Sequence, residues 1–316
     1  MTAKAKKVLF LDSVHPILED QLKQLGFTCE HMYNSSRDEI SHQLSHYEGV
    51  VLRSRIVLDQ KLLEKGENLK FILRSGSGLE NIDLEFARSK NIACFNSPEG
   101  NADAVAEHTL GLLLGLLNNI CIANQQVKSG IWLREENRGI ELKHRCVGIF
   151  GFGHMGKAVA ERLSSFACKI MFLDPKVDHD PLARKVEEPE FFDKVDVLLL
   201  HADYCSTNYY LINDSFLSRF KHDLYIVNTA RGKLVDTEAL IKHLQTGKVR
   251  GAALDVNEFE SHQFLQEGKE YHPALKQLNA FSQVILTPHI AGWTNESYYK
   301  LSAVLAKKIK TLYQES

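Results

Sequence analysis

Three glycines, Gly151, Gly153 and Gly156, follow the apolar run Val147–Phe150 and precede an amphipathic stretch. This G-x-G-x-x-G spacing between a strand and a helix is typical of a dinucleotide-binding loop. The first glycine permits a tight turn, the second lets a pyrophosphate approach the backbone, and the third lets the helix pack closely on the strand. A second apolar run ends at Asp174, where a carboxylate can accept hydrogen bonds from an adenosine ribose and would repel a 2′-phosphate. The sequence therefore predicts NAD rather than NADP as the cofactor.

Ionisable residues also follow later strand-like segments. Arg231 comes after Tyr225–Thr229, and His289 comes after Val284–Thr287. An enzyme that transfers a hydride between a nicotinamide and a hydroxy acid needs a cation for the carboxylate and a base of near-neutral pKa for the hydroxyl proton. Arg231 and His289 fit these two roles. Glu260 is the natural candidate for the carboxylate that orients the histidine, although spacing alone does not prove that the three side chains converge.

The first hundred residues alternate short apolar runs with amphipathic stretches, a pattern that predicts a parallel sheet flanked by helices. Two of the predicted strands end in arginine and glycine: Arg53 and Arg55 follow one, and Arg74 precedes Gly76 and Gly78 after another. Because ligands bind at the carboxyl ends of parallel strands, these turns predict a rim that binds an anionic substrate. The alternative is an ordinary pair of turns with solvated arginines. The predicted strands are 7–11, 49–52, 71–74 and 92–95, and the predicted helices are near 16–25, 59–65 and 83–89.

Residues 102–129 are predicted to form one long helix that is apolar on much of its surface. A helix of this length would extend about 42 Å, which is longer than one small domain can cover. We therefore expect it to serve as a hinge, as a dimer interface, or as both.

Composition excludes several classes of protein. The 316 residues are 44% hydrophobic and 25% charged with a net charge of −2, which is typical of a folded protein and unlike a nucleic-acid-binding one. The longest apolar run, Leu110–Leu117, is too short to cross a bilayer, and the N-terminus lacks a signal sequence, so we expect a cytoplasmic protein without membrane contact. The six cysteines include no C-x-x-C pair, so neither a metal site nor disulfides are expected. Cys205 is a weak alternative as a nucleophile.

The sequence resembles the D-isomer-specific 2-hydroxyacid dehydrogenases, especially the phosphoglycerate dehydrogenase branch, from about residue 7 to residue 313. Besides Arg53-Ser54, the glycine motif and Asp174, five segments carry the resemblance: 76–83, 96–109, 228–236, 251–256 and 287–292.

The resemblance implies a role for each matching residue. Arg231 would bind the substrate, Glu260 and His289 would form the acid/base pair, and Asp255 would contact the nicotinamide carboxamide. Arg134, after Trp132, would reach the active site of a neighbouring subunit in a homodimer. The cofactor-binding residues implied are Gly151, Gly153, His154, Met155, Gly156, Asp174, His201, Ala202, Thr229, Ala230, Asp255 and Gly292. The substrate-binding residues implied are Arg53, Ser77, Gly78, Asn101 and Arg134.

We therefore predict two doubly wound α/β domains: a flavodoxin-like substrate domain, residues 1–101 plus 293–316, and an inserted Rossmann NAD-binding domain, residues 102–292. The predicted activity is reversible hydride transfer between NAD and C2 of a D-2-hydroxy acid, with D-3-phosphoglycerate, a serine-biosynthesis intermediate, as the expected substrate. The alternatives are a glyoxylate or hydroxypyruvate reductase and, in another class, a non-enzymatic NAD-sensing regulatory partner.

The sequence departs from the family pattern at two positions. Residues 202–207 replace the usual Pro-Leu-Thr stretch after His201, and Ser261 stands where proline commonly follows the glutamate. We expect these changes to alter the cofactor-side loop and the glutamate loop. A C-terminal regulatory domain is not expected.

Overall fold

The computed structural model describes residues 6–260 and 272–314, apart from the Ser206 side chain. The chain divides into two compact units, one formed by Met1–Asn101 with Trp293–Ser316 and the other by Ala102–Gly292. Each unit is built on one parallel sheet, so the predicted fold class of two α/β domains is confirmed.

The described residues form the strands β1 Lys7–Phe10, β2 Thr28–His31, β3 Gly49–Leu52, β4 Phe71–Arg74, β5 Ala93–Phe95, β6 Cys146–Phe150, β7 Lys169–Leu173, β8 Arg184–Lys185, β9 Val197–Leu200, β10 Leu224–Asn228, β11 Val249–Leu254 and β12 Val284–Leu286. The helices are α1 Ile17–Gln24, α2 Arg37–Gln43, α3 Gln60–Leu63, α4 Leu84–Ser89, α5 Ala102–Leu117, α6 Ile120–Lys128, α7 His154–Leu163, α8 Glu188–Lys194, α9 Asp214–Ser218, α10 Thr237–Gln245, α11 Pro273–Asn279 and α12 Asn295–Gln314. Single 3-10 turns lie at Leu44–His46, Pro98–Gly100, Ser164–Phe166, Ser206–Asn208 and Gly232–Leu234.

The sheet of the first unit has the order β2-β1-β3-β4-β5, which is the flavodoxin-like arrangement. The order in which successive strands are added reverses between β1 and β3, so a crevice is expected at their carboxyl ends. Asp12 and Arg53 follow these two strands. The topology therefore places an acidic residue and a positively charged residue at the point where this class of sheet binds ligands.

The sheet of the second unit has the order β12-β11-β10-β9-β6-β7-β8. Its first six strands along the chain have the Rossmann order, and β12 adds a seventh beside β11. The switch point lies between β6 and β9, where the glycine loop and His201 begin. The loops after β10, β11 and β12 carry Arg231, Asp255 and His289 to the same edge, since the three strands are neighbours and parallel.

Apolar side chains cover both faces of each sheet. Every residue of β3 and of β9 is buried, which explains why these strands are continuous apolar runs without alternating polar positions. In the first unit one face packs under α2, α3 and α4, and the other packs under α1 and α12. The returning segment that carries α12 is therefore part of the first unit's core.

The prediction of one helix over residues 102–129 is wrong. The structure has two helices, α5 and α6, that meet at an angle of 64° around Asn118 and Asn119. Asn119 has a φ of 55°, a left-handed conformation that short polar residues adopt at helix ends and that an α-helix cannot continue through. Much of α5 is buried, whereas none of the α6 residues is. The length argument for a dimer therefore fails.

No single helix in the described ranges combines the length and the apolar composition needed to cross a membrane. The bent pair α5 and α6 reaches that threshold only when the two helices are taken together.

Candidate active site

The glycine loop packs tightly at two of its three glycines and is open at the third. Gly151 has a φ of +89°, and a Cβ atom there would lie 2.5 Å from the backbone nitrogen of Ala202. A Cβ on Gly156 would lie 2.4 Å from the Gly151 carbonyl oxygen. At Gly153, by contrast, no atom lies within 4 Å of a built Cβ. The loop therefore leaves room for a ligand where a dinucleotide's pyrophosphate approaches the backbone.

The start of α7 faces this open position. Gly153 is the N-cap residue and has no side chain with which to satisfy the first N–H groups of the helix. Those groups and the helix dipole favour an anion. The predicted residues His154 and Met155 lie in this first turn, the former exposed and the latter half-buried.

Asp174, at the end of β7, holds the glycine loop in place. Its carboxylate accepts hydrogen bonds from the backbone N–H groups of Phe152 at 2.7 Å, Lys176 at 2.7 Å and Val177 at 3.1 Å. A carboxylate has about four acceptor positions, so capacity for one further donor remains. Asp174 can therefore support the loop and also accept a ribose hydroxyl.

His201, directly after β9, lies against this loop. Both of its ring nitrogens are buried and have no hydrogen-bond partner among the described residues. Burial lowers the pKa of His201 to about 4, so the ring is neutral at physiological pH. An unsatisfied buried imidazole is costly, and a polar ligand at the switch point between β6 and β9 would satisfy it.

These features fit a dinucleotide: an open backbone position at a helix N-terminus, a carboxylate at the tip of the second strand, and an unsatisfied imidazole opposite. Thr229 is buried, with its hydroxyl 2.8 Å from that of Thr109, and Ala230 follows it in a buried turn. Gly292 is the last residue of the unit.

His289 and Glu260 form a hydrogen-bonded pair, with Nδ1 of the histidine 3.0 Å from Oε2 of the glutamate. A carboxylate can only accept, so Nδ1 carries the proton and Nε2 is left as the basic nitrogen. His289 is 43% exposed and Glu260 is 29% exposed, so the pair is accessible to a small molecule. The structure therefore brings together the two residues that the sequence predicts as an acid/base pair, and their role stays a prediction.

Asp255 fixes the turn that carries His289. Its carboxylate accepts hydrogen bonds from the Thr287 hydroxyl at 2.6 Å and from the N–H groups of Ile290 and Ala291 at 2.9 and 2.8 Å. Its carbonyl oxygen accepts from the N–H of His289 at 2.7 Å. These bonds hold His289 at a φ of +57°, which a histidine rarely adopts.

The buried Asp255 carboxylate stays ionised. Burial alone would raise its pKa, but hydrogen bonds from His108, Thr287, Ala291 and Ile290 outweigh burial and lower the pKa to about 2. Nε2 of His108, on α5, lies 3.2 Å from the Thr287 hydroxyl and 3.5 Å from the carboxylate. Sequence reasoning assigned no role to His108 or Thr287, although both lie in segments that carry the family resemblance.

The Arg231 turn is organised by Asn228, another residue without an earlier assignment. The Asn228 side chain donates to the Arg231 carbonyl oxygen at 3.0 Å and accepts from the Ala230 N–H at 3.0 Å. The Asn228 carbonyl oxygen accepts from the N–H of Asp255 at 2.9 Å, which links the arginine turn to the histidine turn. The sequence offered one signal for Asn228, a polar residue at the end of an apolar strand, and the structure shows that this residue is buried.

The segment after His201 joins the glutamate loop through Tyr210, whose hydroxyl donates to Glu258. The other oxygen of Glu258 accepts from the N–H of Thr237 at 3.0 Å, at the start of α10. Residues 202–207, where the sequence departs from the family, therefore precede a tyrosine that is bonded to the glutamate loop. The bond is made to Glu258, two residues before Glu260. Ser261, the second departure, lies outside the described residues.

In the first unit, Arg53 lies at the switch point with its backbone N–H donating to Asp12 at 2.6 Å. The Ser77 hydroxyl donates to the Asn101 side chain at 2.6 Å, so these two predicted substrate-binding residues are brought together. Gly78 follows in the same loop and is half-buried.

The remaining candidate residues each have their own surroundings within their unit. The Arg55 guanidinium donates to the carbonyl oxygens of Leu11, Ser35 and Met32, so it serves the fold. Arg134 is exposed and forms no hydrogen bond or ion pair with the described residues. Cys205 is exposed with its sulfur 3.1 Å from the hydroxyl of Thr207, which is no base. The anion-binding rim predicted from the arginine turns of the first unit therefore loses Arg55.

Comparison with known proteins agrees with this geometry. The sequence model described as D-isomer specific 2-hydroxyacid dehydrogenase, NAD binding domain, matches residues 110–291. The chain belongs to the D-isomer specific 2-hydroxyacid dehydrogenase family. Its second unit is the family's NAD-binding domain, and NAD is its cofactor.

Three similar proteins represent different members of the family. A hydroxypyruvate reductase of Thermotoga maritima is 33% identical over 91% of this chain and 90% of its own length. A D-3-phosphoglycerate dehydrogenase of Archaeoglobus fulgidus is 32% identical over 96% of this chain, which spans only 56% of that protein. The crystal structure of a D-lactate dehydrogenase of Aquifex aeolicus, complexed with NAD and lactic acid, has a TM-score of 0.84 at 28% identity, covering 98% of this chain and 96% of that one.

Proposed function

We propose that the protein oxidises and reduces C2 of a D-2-hydroxy acid with NAD, and that D-3-phosphoglycerate is the preferred substrate. The observation that carries the reaction is the His289–Glu260 pair, with 3.0 Å between Nδ1 and Oε2. This pair leaves one basic nitrogen on an accessible, oriented ring, which a reversible proton transfer requires.

Different residues of the second unit have different roles in the proposed reaction. In the oxidative direction Nε2 of His289 takes the hydroxyl proton, and Glu260 stabilises the imidazolium that forms. Arg231 binds the substrate carboxylate and polarises the C2 oxygen. Bound NAD supplies the acceptor for the hydride that leaves C2. In reduction His289 returns the proton to the C2 oxygen. Overall, the hydroxy acid and the oxidised cofactor give the keto acid, the reduced cofactor and one proton.

Two observations support a phosphorylated substrate. The phosphoglycerate dehydrogenase of Archaeoglobus fulgidus matches across both units of this chain. The Arg53 guanidinium at the β1/β3 switch point of the first unit has no hydrogen bond to any described residue, so it is available to bind an anion. The specific alternative is a hydroxypyruvate reductase, which the nearly full-length match to the Thermotoga maritima enzyme favours.

A substrate panel with NAD(H) tests this proposal. We expect kcat/KM for D-3-phosphoglycerate oxidation, and for phosphohydroxypyruvate reduction, to exceed that for D-glycerate, D-lactate, hydroxypyruvate and glyoxylate. A higher value for hydroxypyruvate would assign the alternative function. Saturable NADH binding without turnover of any acid would support a regulatory NAD-sensing protein.

We also propose that the protein is a homodimer in which Arg134 serves the partner's active site. Large apolar side chains are exposed together on α6 and in the loop after it, and contiguous patches of this kind mark interfaces. A two-fold axis would pair the patch with itself. The exposed residues are Ile120, Val127, Ile131, Trp132 and Leu133.

Mixing two inactive variants tests the shared site. Arg134→Ala and His289→Asn subunits are unfolded together, refolded and compared with each variant refolded alone. Because one site of the mixed dimer keeps both groups, activity should rise toward a quarter of wild type. A mixture no more active than its parents would remove Arg134 from the partner's site, and an active monomer in sedimentation would remove the dimer.

A further inference from the structure

Tyr210 of the second unit has a backbone conformation that a large side chain disfavours. Its φ of +47° lies in the left-handed region, where a bulky residue is an outlier. Two hydrogen bonds hold it there: its N–H donates to the carbonyl oxygen of Lys233 at 2.9 Å, and its carbonyl oxygen accepts from the side chain of Asn213 at 3.0 Å. A strained residue that its surroundings hold in this way indicates a function for the side chain.

The side chain of Tyr210 reaches the glutamate loop, where its hydroxyl donates to the Glu258 carboxylate. The hydrogen bond to Glu258, followed by one to Tyr209 and by burial, raises the pKa of Tyr210 above its ordinary value, so the hydroxyl stays protonated and remains a donor. The ring of Tyr209 lies against that of Tyr210, with 4.1 Å between the ring centres. The hydroxyl is therefore presented in a defined direction.

Glu258 is bonded at both of its carboxylate oxygens. The oxygen that does not contact Tyr210 accepts from the N–H of Thr237 at 3.0 Å, at the first residue of α10. The buried side chains of this helix, among them Leu240 and Leu244, belong to the hydrophobic core of the second unit. The Glu258 side chain is therefore a fixed point between the segment of Tyr210 and a core helix.

The loop from Glu258 to Glu260 is short and is bonded within itself. The Asn257 side chain accepts from the N–H of Phe259 at 3.0 Å, and the Asn257 carbonyl oxygen accepts from the N–H of Glu260 at 3.3 Å. The turn after β10 packs directly on this loop, since a Cβ atom on Gly232 would lie 2.0 Å from the Asn257 carbonyl carbon. A displacement of Glu258 would therefore move the backbone of Glu260.

The segment of Tyr210 is also bonded to the turn that carries Arg231. Besides the bond from the Tyr210 N–H, the N–H of Ile212 donates to the carbonyl oxygen of Leu234 at 2.9 Å, and the N–H of Asp236 donates to the carbonyl oxygen of Ile212 at 3.1 Å. The backbone of Tyr210 is thus fixed to the arginine turn, and its hydroxyl is bonded to the glutamate loop. One residue connects the two loops.

We propose that Tyr210 is a positioning residue for the acid/base pair. Its hydroxyl holds the Glu258 carboxylate, and the loop from Glu258 carries the Glu260 carboxylate to Nδ1 of His289. Such support matters because His289 is 43% exposed and Glu260 is 29% exposed, and a hydrogen-bonded pair in contact with water contributes little to its own geometry. This inference rests on the proposed function, since it explains how the proton acceptor stays aligned.

Kinetics of Tyr210→Phe, which removes only the hydroxyl, test this role. With the best substrate of the panel, kcat should fall about fivefold while KM for the acid and for NADH changes less than about twofold, because alignment affects the proton transfer and not binding. Tyr47→Phe is the matched control, since the Tyr47 hydroxyl donates to Glu30 at 2.6 Å in the first unit. Unchanged kcat in Tyr210→Phe, or an equal loss in both variants, would overturn the inference.

A double variant tests whether Tyr210 acts through Glu258. If it does, kcat of the Tyr210→Phe and Glu258→Ala double variant should lie within about twofold of that of Glu258→Ala alone, because the second change removes a bond that is already lost. A loss equal to the product of the two single losses would mean that Tyr210 acts by another route, and would refute the proposed connection.

The tautomer of His289 gives a test that does not depend on turnover. In protein labelled with ¹⁵N-histidine, the chemical shifts of the ring nitrogens report which of them carries the proton, and the His289 signals are identified by their loss in His289→Asn. The wild type should carry the proton on Nδ1, because Glu260 accepts it there. In Tyr210→Phe the population with the proton on Nε2 should rise, whereas Tyr47→Phe should match the wild type. An identical tautomer in Tyr210→Phe and wild type would contradict the inference.

The two proposals can fail separately. A tautomer shift in Tyr210→Phe, in a protein that turns over none of the acids, would refute the proposed function and retain the positioning role. Turnover of an acid with the same kcat and the same His289 tautomer in Tyr210→Phe as in the wild type would do the reverse.

Discussion

The carboxyl edges of the two sheets are organised in different ways. In the second unit the buried Asp255 carboxylate bonds to three groups of one turn and fixes the backbone of His289, whose ring is then bonded to Glu260. In the first unit the backbone of Arg53 is fixed, but its guanidinium lies against the face of Trp293 and has no hydrogen bond to a described residue. One edge orients an imidazole ring, and the other orients a guanidinium.

This difference predicts how substitutions divide between kinetic constants. Proton transfer requires a defined distance and direction, so changes in the second unit should reduce kcat. Binding a peripheral anion contributes equally before and during the reaction, so changes in the first unit should raise KM.

His289→Asn should lower kcat by about 100-fold or more while NADH affinity changes less than about threefold. Asparagine tolerates a positive φ, so the turn survives, but its amide cannot take a proton. Steady-state kinetics and NADH titration measure the two quantities, with the exposed His179→Asn as the control. Near-normal turnover would remove histidine from the reaction.

Arg231→Lys should affect kcat and KM together, with kcat/KM falling about 30-fold, because an ammonium cannot reproduce the two-pronged guanidinium grip. In the proposed function Arg231 contacts both the substrate carboxylate and the C2 oxygen. It is therefore the expected exception to the rule that changes in the second unit affect mainly kcat. If KM for the keto acid stayed constant, another cation would have to bind the carboxylate.

Asp255→Asn should lower kcat about tenfold and destabilise the protein, because the amide nitrogen cannot accept from a backbone N–H. The folded-state pKa of about 2 is below the ordinary value, so the carboxylate stabilises the fold above about pH 4, and that contribution is lost as the pH falls toward 2. The Tm difference between wild type and variant should therefore shrink across that window. A difference that did not vary with pH would contradict the ionised state of Asp255.

Asp174→Ala should narrow the preference for NADH over NADPH by about fivefold, mainly through weaker use of NADH. The loss combines a ribose contact with the hydrogen bond to Phe152 that supports the glycine loop. Asp178→Ala removes a nearby carboxylate that is 94% exposed and should leave the ratio unchanged. Equal use of both cofactors by the wild type would refute the assignment.

Arg55→Gln should have the smallest effect on activity and a clear effect on stability. Its guanidinium bonds to three backbone carbonyl oxygens, so the variant should lose about 1–3 kcal/mol with KM unchanged. Thermal unfolding against the exposed Arg88→Gln measures this. A raised KM in Arg55→Gln would return Arg55 to the substrate site and break the contrast with Arg53.

Much of the architecture follows from patterns that the sequence carries plainly. The apolar runs of β3, β4 and β6 are continuous because both faces are buried. Arginine or glycine marks the end of each run, with Arg53 after β3, Arg74 at the end of β4 and Gly151 after β6. β2 was missed because its four residues are exposed or half-buried and mix polar with apolar types. α7 begins at His154, inside the glycine motif, and its N-cap is Gly153 rather than a polar side chain that the sequence would have marked as a helix start.

The sequence indicated which residues belong to the candidate site, but it did not indicate the hydrogen bonds that hold them in position. Glu260 and His289 are 29 positions apart, and their position in the sequence suggested the pair that the structure joins by a hydrogen bond. Nothing local reveals that Arg55, two residues from Arg53, donates to three carbonyl oxygens, because those acceptors come from other segments of the first unit. The break at Asn119 was hidden because apolar residues continue on both sides of it.

The left-handed backbone of His289 also has a consequence for how far this enzyme can be stabilised. A histidine at a φ of +57° costs roughly 1 kcal/mol relative to glycine, which adopts that conformation freely. The fold therefore gives up some thermodynamic stability at the residue to which we assign the proton transfer. Selection for heat resistance alone would favour glycine at this position. The resulting protein would be more stable but would lack the proposed proton acceptor.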